Sequence, residues 1–227
     1  MASKSRAAVG ARTAGVLCVL ACVGGVASGQ SIYSADFEGG TAGPEWSLTA
    51  LSQSPSGRNF LGRLGNDAAV LTLSNVPAQT VQLEFDLYII GTWDGNDNPG
   101  PDRWMLDLVG GQTLLSTTFA VGDETSWRTQ AYPNAEGAGA NTNRSGATEN
   151  NSLGYIVYGF QRDAVWHMTY QFENTDPTLA VRFSAAGLQQ LEDESWGLDN
   201  VGLTLIPAPG AAGVLGLAGL AMFRRRR

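Results

Sequence analysis

The chain has 227 residues, 43% of them hydrophobic, with 29 glycines and with 21 acidic residues against 14 basic ones. That length suits one domain between terminal segments. A net charge of −7 excludes the basic surface that nucleic-acid binding demands.

In chain order, Lys4, Arg6 and Arg12 come first, then an uncharged apolar run over 13–26, then the small residues Ala27, Ser28 and Gly29. This is the three-part layout of a secretory signal peptide over residues 1–29, with cleavage near 28–30. The apolar run is too short to span about 30 Å of hydrocarbon comfortably. Both cysteines, Cys18 and Cys22, fall inside it. Residues 30–206 therefore have neither a disulfide nor a Cys-based metal site or nucleophile. They hold all 21 acids, seven arginines and no lysine.

Within 30–206, short alternating runs bounded by Gly, Asn, Asp and Pro replace any 3.6-residue apolar stripe. The strands predicted are 69–73, 81–89, 104–109, 113–119, 165–172, 179–183 and 197–205. In 81–89, Val81, Leu83, Phe85, Leu87 and Ile89 share one face. Residues 131–151 are rich in Asn, Gly and Ala and read as a long surface loop; 154–160 reads as one more strand. The pattern predicts an all-β domain, a two-sheet jelly-roll or concanavalin-like sandwich, flanked by an N-terminal signal helix and a C-terminal hydrophobic helix.

After Pro207, Ala208 and Pro209, residues 210–223 are apolar and small, and Arg224, Arg225, Arg226 and Arg227 follow at once. Fourteen helical residues reach about 21 Å, a marginal transmembrane span. The arginines would stay on the cytoplasmic side. This tail resembles the PEP-CTERM sorting signal, with Ala208 where that motif has Glu. The resemblance implies an exosortase-type sorting protease as partner, and a domain held outside by the tail, transiently or permanently. A plain membrane anchor is the alternative.

A second resemblance is carried by Phe85 to Ile90, by Trp93-Asp94-Gly95-Asn96-Asp97, by Pro101-Asp102 and by the late run Asp193 to Val201. These are similar to a recurrent secreted bacterial domain of the concanavalin or laminin-G lectin type. Asp36-Phe37-Glu38 followed by Trp46 fits its opening strand. The resemblance implies fold and extracellular setting, and no reaction.

Several groups are candidates for chemistry. The loop 93–102 offers oxygens from Asp94, Asn96, Asn98, Asp97 and Asp102, and calcium takes six to eight such ligands. It is no EF-hand: Met105 stands where the bidentate Glu would be. An Asx turn joining two strands is the alternative. Glu192-Asp193-Glu194 with Asp199 and Asn200 forms a second candidate calcium site, which Asp36 and Glu38 could approach, since first and last strands often pair and close carboxylates need a cation or proton; a solvated acidic turn competes with it. Glu84 and Asp86 share a strand face, as glycosidase carboxylates do, but the further Glu such a motif needs is absent. His167 is the sole histidine, too few for a multi-His zinc site. Among six tryptophans, Trp93 and Trp127 adjoin polar loops and are candidates for stacking on sugars; Trp46, Trp166 and Trp196 read as core. The function expected is a non-catalytic exported surface or matrix protein with a lectin-like sandwich that binds polysaccharide and calcium. A surface-anchored glycan hydrolase and a purely structural surface component are the alternatives.

Overall fold

The computed structural model describes residues 29–122 and 127–207. The signal segment 1–28 and the tail from Ala208 onward, with Pro209 and Arg224 to Arg227, lie outside the described residues, as do both expected terminal helices. Among the described residues no helix is long and apolar enough to cross a membrane.

The described chain is all β. The strands of its first half are β1 (Gln30–Ala35), β2 (Leu51–Gln53), β3 (Asn59–Leu64), β4 (Ala68–Ser74), β5 (Gln79–Gly91), β6 (Arg103–Leu108) and β7 (Thr113–Thr118). Short ladders follow: β8 (Thr129–Gln130) with β9 (Asn141–Thr142), β10 (Glu149–Asn150), and β11 (Ile156–Val157) with β12 (Phe160–Gln161). Three long strands complete it: β13 (Asp163–Asn174), β14 (Thr178–Ala186) and β15 (Glu194–Leu205).

One sheet runs β10-β13-β5-β15-β3-β2, with β1 also on β15; the other runs β4-β14-β6-β7. The antiparallel pairs nest: β3 with β15, β4 with β14, β5 with β13, β6 with β7. The chain is thus a folded ribbon whose ends meet in one sheet, which brings residues far apart in sequence to the same end of the sandwich.

Alternation explains the core. Leu83, Phe85, Leu87 and Ile89 of β5 point inward with Trp166 and Met168 of β13 and Trp196 and Leu198 of β15. They meet Leu71, Trp104, Leu106, Val181 and Phe183 from the other sheet. The Phe85 ring lies 5.3 Å from that of Phe183 and 5.7 Å from that of Trp104. Burying each such side chain stabilises the fold by roughly 1.5–3 kcal/mol.

Two features depart from simple alternation. Tyr88 and Ile90 point to the opposite face of β5, yet are buried with Phe60, Leu153 and Val165 in a second, smaller cluster. The chain that crosses there is held by Asp163, wholly buried, which accepts hydrogen bonds from the Leu153 and Tyr155 amides at 2.9 and 3.0 Å. On β15 a bulge lies between Asp199 and Gly202, with Asn200 at φ 49°. Asn tolerates this left-handed conformation, and the bulge lets β15 exchange β3 for β1 as neighbour. The segment 131–151, expected as a plain surface loop, is instead laced by side chains: Asn141 Nδ2 donates to the Ala131 and Tyr132 carbonyls, each at 3.0 Å.

Candidate functional site

At one end of the sandwich β5 runs out into the loop that leads to β6. Gly91 (φ 97°) and Gly95 (φ 67°) bracket that exit. A Cβ on Gly91 would lie 1.7 Å from the Asp193 carbonyl oxygen, and one on Gly95 would lie 2.1 Å from that of Thr129. Only glycine permits both the conformation and the approach. The result presses 92–95 against the start of β15 on one side and against β8 on the other.

This brings together Asp94, Asp102 and Glu194, at 1%, 0% and 0% exposure. One oxygen from each lies within 4.8 Å of the others. The Asp94 amide donates to Asp102 Oδ2, and Arg128 ion-pairs with Asp94 Oδ1. Gln189 Nε2 donates to Asp94 Oδ2 at 3.1 Å and to Glu194 Oε1 at 3.2 Å, and the Gln189 amide donates to Glu194 Oε2 at 2.7 Å. Among the described residues, Asp102 Oδ1 has no hydrogen-bond partner. Burial, foremost, pushes the Asp102 and Glu194 carboxyls up to about 7. The Asp102 charge adds to the rise at Glu194.

Directly over this cluster is an open cleft of about 310 Å³ lined by Thr92, Asp94, Arg128, Tyr158, Arg162 and Asp193, among others. Asp193 is fixed by Thr92 Oγ1 at 2.6 Å and by the Tyr158 hydroxyl at 3.2 Å. The Tyr158 ring itself is 69% exposed. Beside it on the β11–β12 hairpin stand exposed Ile156 and Phe160, with the Arg162 guanidinium 5.5 Å from the Phe160 ring centre.

The residues expected from the sequence fall into different places. Asp94 and Asp102 meet, and their third partner is Glu194. Asn96 does not join them: its amide nitrogen donates to the Gly139 carbonyl at 3.0 Å, and its oxygen accepts from Thr118 Oγ1. Asn98 is exposed on the loop. Asp199 is in the body of the outer face, where it accepts the Tyr88 hydroxyl at 2.7 Å. Glu38 is engaged by Asn59, through its amide nitrogen at 2.6 Å and its backbone N–H at 3.3 Å.

Trp93 is corrected. It is wholly buried, its indole N–H donating to the Ser195 carbonyl at 3.0 Å, so it cannot stack on a sugar. Trp127 is 72% exposed, next to the cleft residue Arg128. Trp46, Trp166 and Trp196 are core, as expected. Pro207 ends the described chain.

Glu84 and Asp86 lie on the outer face of β5. Glu84 accepts from Gln82 at 2.7 Å; Asp86 is held between His167 Nδ1 and Asn200 Nδ2, each at 2.8 Å. Tyr158 was missed as a site residue, and Glu194, expected in one cluster with Asp199, joins Asp94 and Asp102 instead. Ile156, Tyr158 and Phe160 do alternate in sequence, but alternation alone does not distinguish an exposed hairpin from a core strand.

No family model and no curated protein matches the chain. Solved structures with some likeness include dimeric latent PorU from Porphyromonas gingivalis, at 8% identity and TM-score 0.37, over 64% of this chain and 10% of that one. Another is a 4-O-methyl-alpha-glucuronidase with specificity for decorated arabinogalactans, at 13% identity and TM-score 0.40, over 80% of this chain and 18% of that one. A third is the C-terminal carbohydrate-binding module of LamC from Zobellia galactanivorans, at 14% identity and TM-score 0.30, over 77% of this chain and 92% of that one. The chain spans a fifth or less of the first two. Nothing about its chemistry follows from similarity at this level.

Proposed function

We propose that this chain is a non-catalytic, exported surface protein whose jelly-roll sandwich binds polysaccharide in the cleft over the Asp94 cluster. The nested strand pairs are those of a jelly roll, an architecture that lectin domains use. The single observation that carries the reading is the cleft's composition. An exposed aromatic face, Tyr158, borders carboxylate, guanidinium, amide and hydroxyl groups in an open groove. A sugar's apolar face stacks on such a ring while its hydroxyls take the polar groups. Export rests on the signal-like segment 1–29. Sorting by an exosortase-type protease, and attachment to the membrane, rest on Pro207, Pro209 and the arginine cluster 224–227.

A hydrolase is the weaker reading. Asp102 and Glu194 have the raised values of a general acid, but both are sealed from solvent and cannot reach a glycosidic oxygen. Glu84 and Asp86 are already occupied by Gln82, His167 and Asn200.

The test is an array of neutral and acidic polysaccharides probed with the wild type, Tyr158→Ala and Trp127→Ala. Binding by the wild type should fall about five- to tenfold in Tyr158→Ala, as loss of one stacked ring costs about 1–1.4 kcal/mol. No binding across the array, or binding indifferent to both substitutions, would refute the reading.

A further inference from the structure

Asp94, Asp102 and Glu194 come from two chain segments that contact each other only because β5 and β15 are neighbours in the sheet. The cluster is sealed, and it carries three formal negative charges with Arg128 paired to Asp94. Buried carboxylates this close cannot all stay ionised unless a proton or a cation lies among them.

Two observations favour a cation. Asp102 is wholly buried and offers an oxygen to the cluster, and among the described residues its Oδ1 has no hydrogen-bond partner. A bare carboxylate oxygen in that setting bears its desolvation cost uncompensated. Moreover, the 4.8 Å limit on the oxygen separations is the span available around one ion with ligands at about 2.3–2.6 Å.

We propose that Asp94, Asp102 and Glu194 bind one calcium ion beneath the cleft. The donors are all oxygens, the choice of a hard cation. A half-turn of the Gln189 side-chain amide would exchange its NH₂, which now donates to Asp94 and Glu194, for its oxygen, adding a fourth protein ligand. Magnesium, which keeps several waters, suits so enclosed a site less well. The ion would tie the 92–102 loop to the 189–194 segment, the two stretches that carry Thr92, Asp94, Gln189 and Asp193 of the cleft wall. The site stands whether or not the cleft takes a sugar, and its test uses no sugar.

Thermal unfolding of the full chain is measured in calcium, in magnesium and in chelator, for the wild type, Asp102→Asn, Glu194→Gln and Asp199→Asn. Saturating calcium should raise the wild-type Tm by about 5 °C or more over chelator. The rise should vanish in Asp102→Asn and Glu194→Gln and persist in Asp199→Asn. Should the first two variants fail to fold, terbium is titrated into the wild type as a calcium stand-in. Emission sensitised by tryptophan, saturating at one ion per chain and displaced by calcium, supports the site. No calcium-dependent rise in the wild type, a rise that survives in Asp102→Asn, or no sensitised terbium emission would overturn it.

Discussion

Two groups of acids sit on neighbouring stretches of the same strands, and they are satisfied in different ways. Asp86 and Asp199 face each other directly across β5 and β15. Each of their four carboxylate oxygens has its own partner: His167 and Asn200 for Asp86, Tyr88 and the Asn200 amide for Asp199. Asp94, Asp102 and Glu194 lie deeper, and among the described residues Asp102 Oδ1 has no hydrogen-bond partner. Like charge alone therefore does not mark a cation site. The distinguishing feature is whether fixed hydrogen-bond donors already complete the carboxylates.

The largest effect that sharpens this contrast is a change of sign. With calcium at a hundred times its Kd, Asp102→Asn should lose about 2.7 kcal/mol of stabilisation. In chelator the same substitution should be neutral or stabilising, because it removes a buried and incompletely compensated charge. Denaturant titration in the two buffers checks this. At the other group, Tyr88→Phe removes the donor to Asp199 Oδ2 and should cost about 1–3 kcal/mol, equally with and without calcium. A calcium-dependent cost there would collapse the distinction between the groups.

The smallest effect belongs to a surface acid. Arg58 grips Glu149 through two hydrogen bonds, at 2.7 and 3.1 Å, and thereby holds its carboxyl below the ordinary value of 4.5. A depressed folded value means the pair's stabilisation is present above about pH 4.5 and fades as pH falls through the folded value. Because both side chains are more than a third exposed, Glu149→Gln should cost no more than about 1 kcal/mol at pH 7. In acid it should cost nothing, by urea unfolding at each pH.

The strands were legible where one face is core and the other is wet. Val81 to Ile89 shows its alternation plainly, and the five predicted runs 104–109, 113–119, 165–172, 179–183 and 197–205 all fall on strands. What stayed hidden depends on long-range placement. Trp93 stands among polar neighbours, yet β5 carries it inward to Ser195, about a hundred residues away. Glu194 stands in the sequence with Asp193 and Asp199 as a candidate cluster, but β15 begins there and turns it toward Asp94 and Asp102, partners that no local pattern reveals. Residues 131–151 lack apolar content and so look unstructured. Their order comes from Asn, Thr and Gln side chains bonding backbone groups, a signal that hydropathy does not register.

The most direct test is a crystal structure of the protein grown with calcium. A single ion is predicted at about 2.3–2.6 Å from oxygens of Asp94, Asp102 and Glu194, with the Gln189 amide turned and the outer Asp86–Asp199 pair free of metal. An ion bound instead between Glu38 and Asp199, or no ion at all at millimolar calcium, would contradict the account.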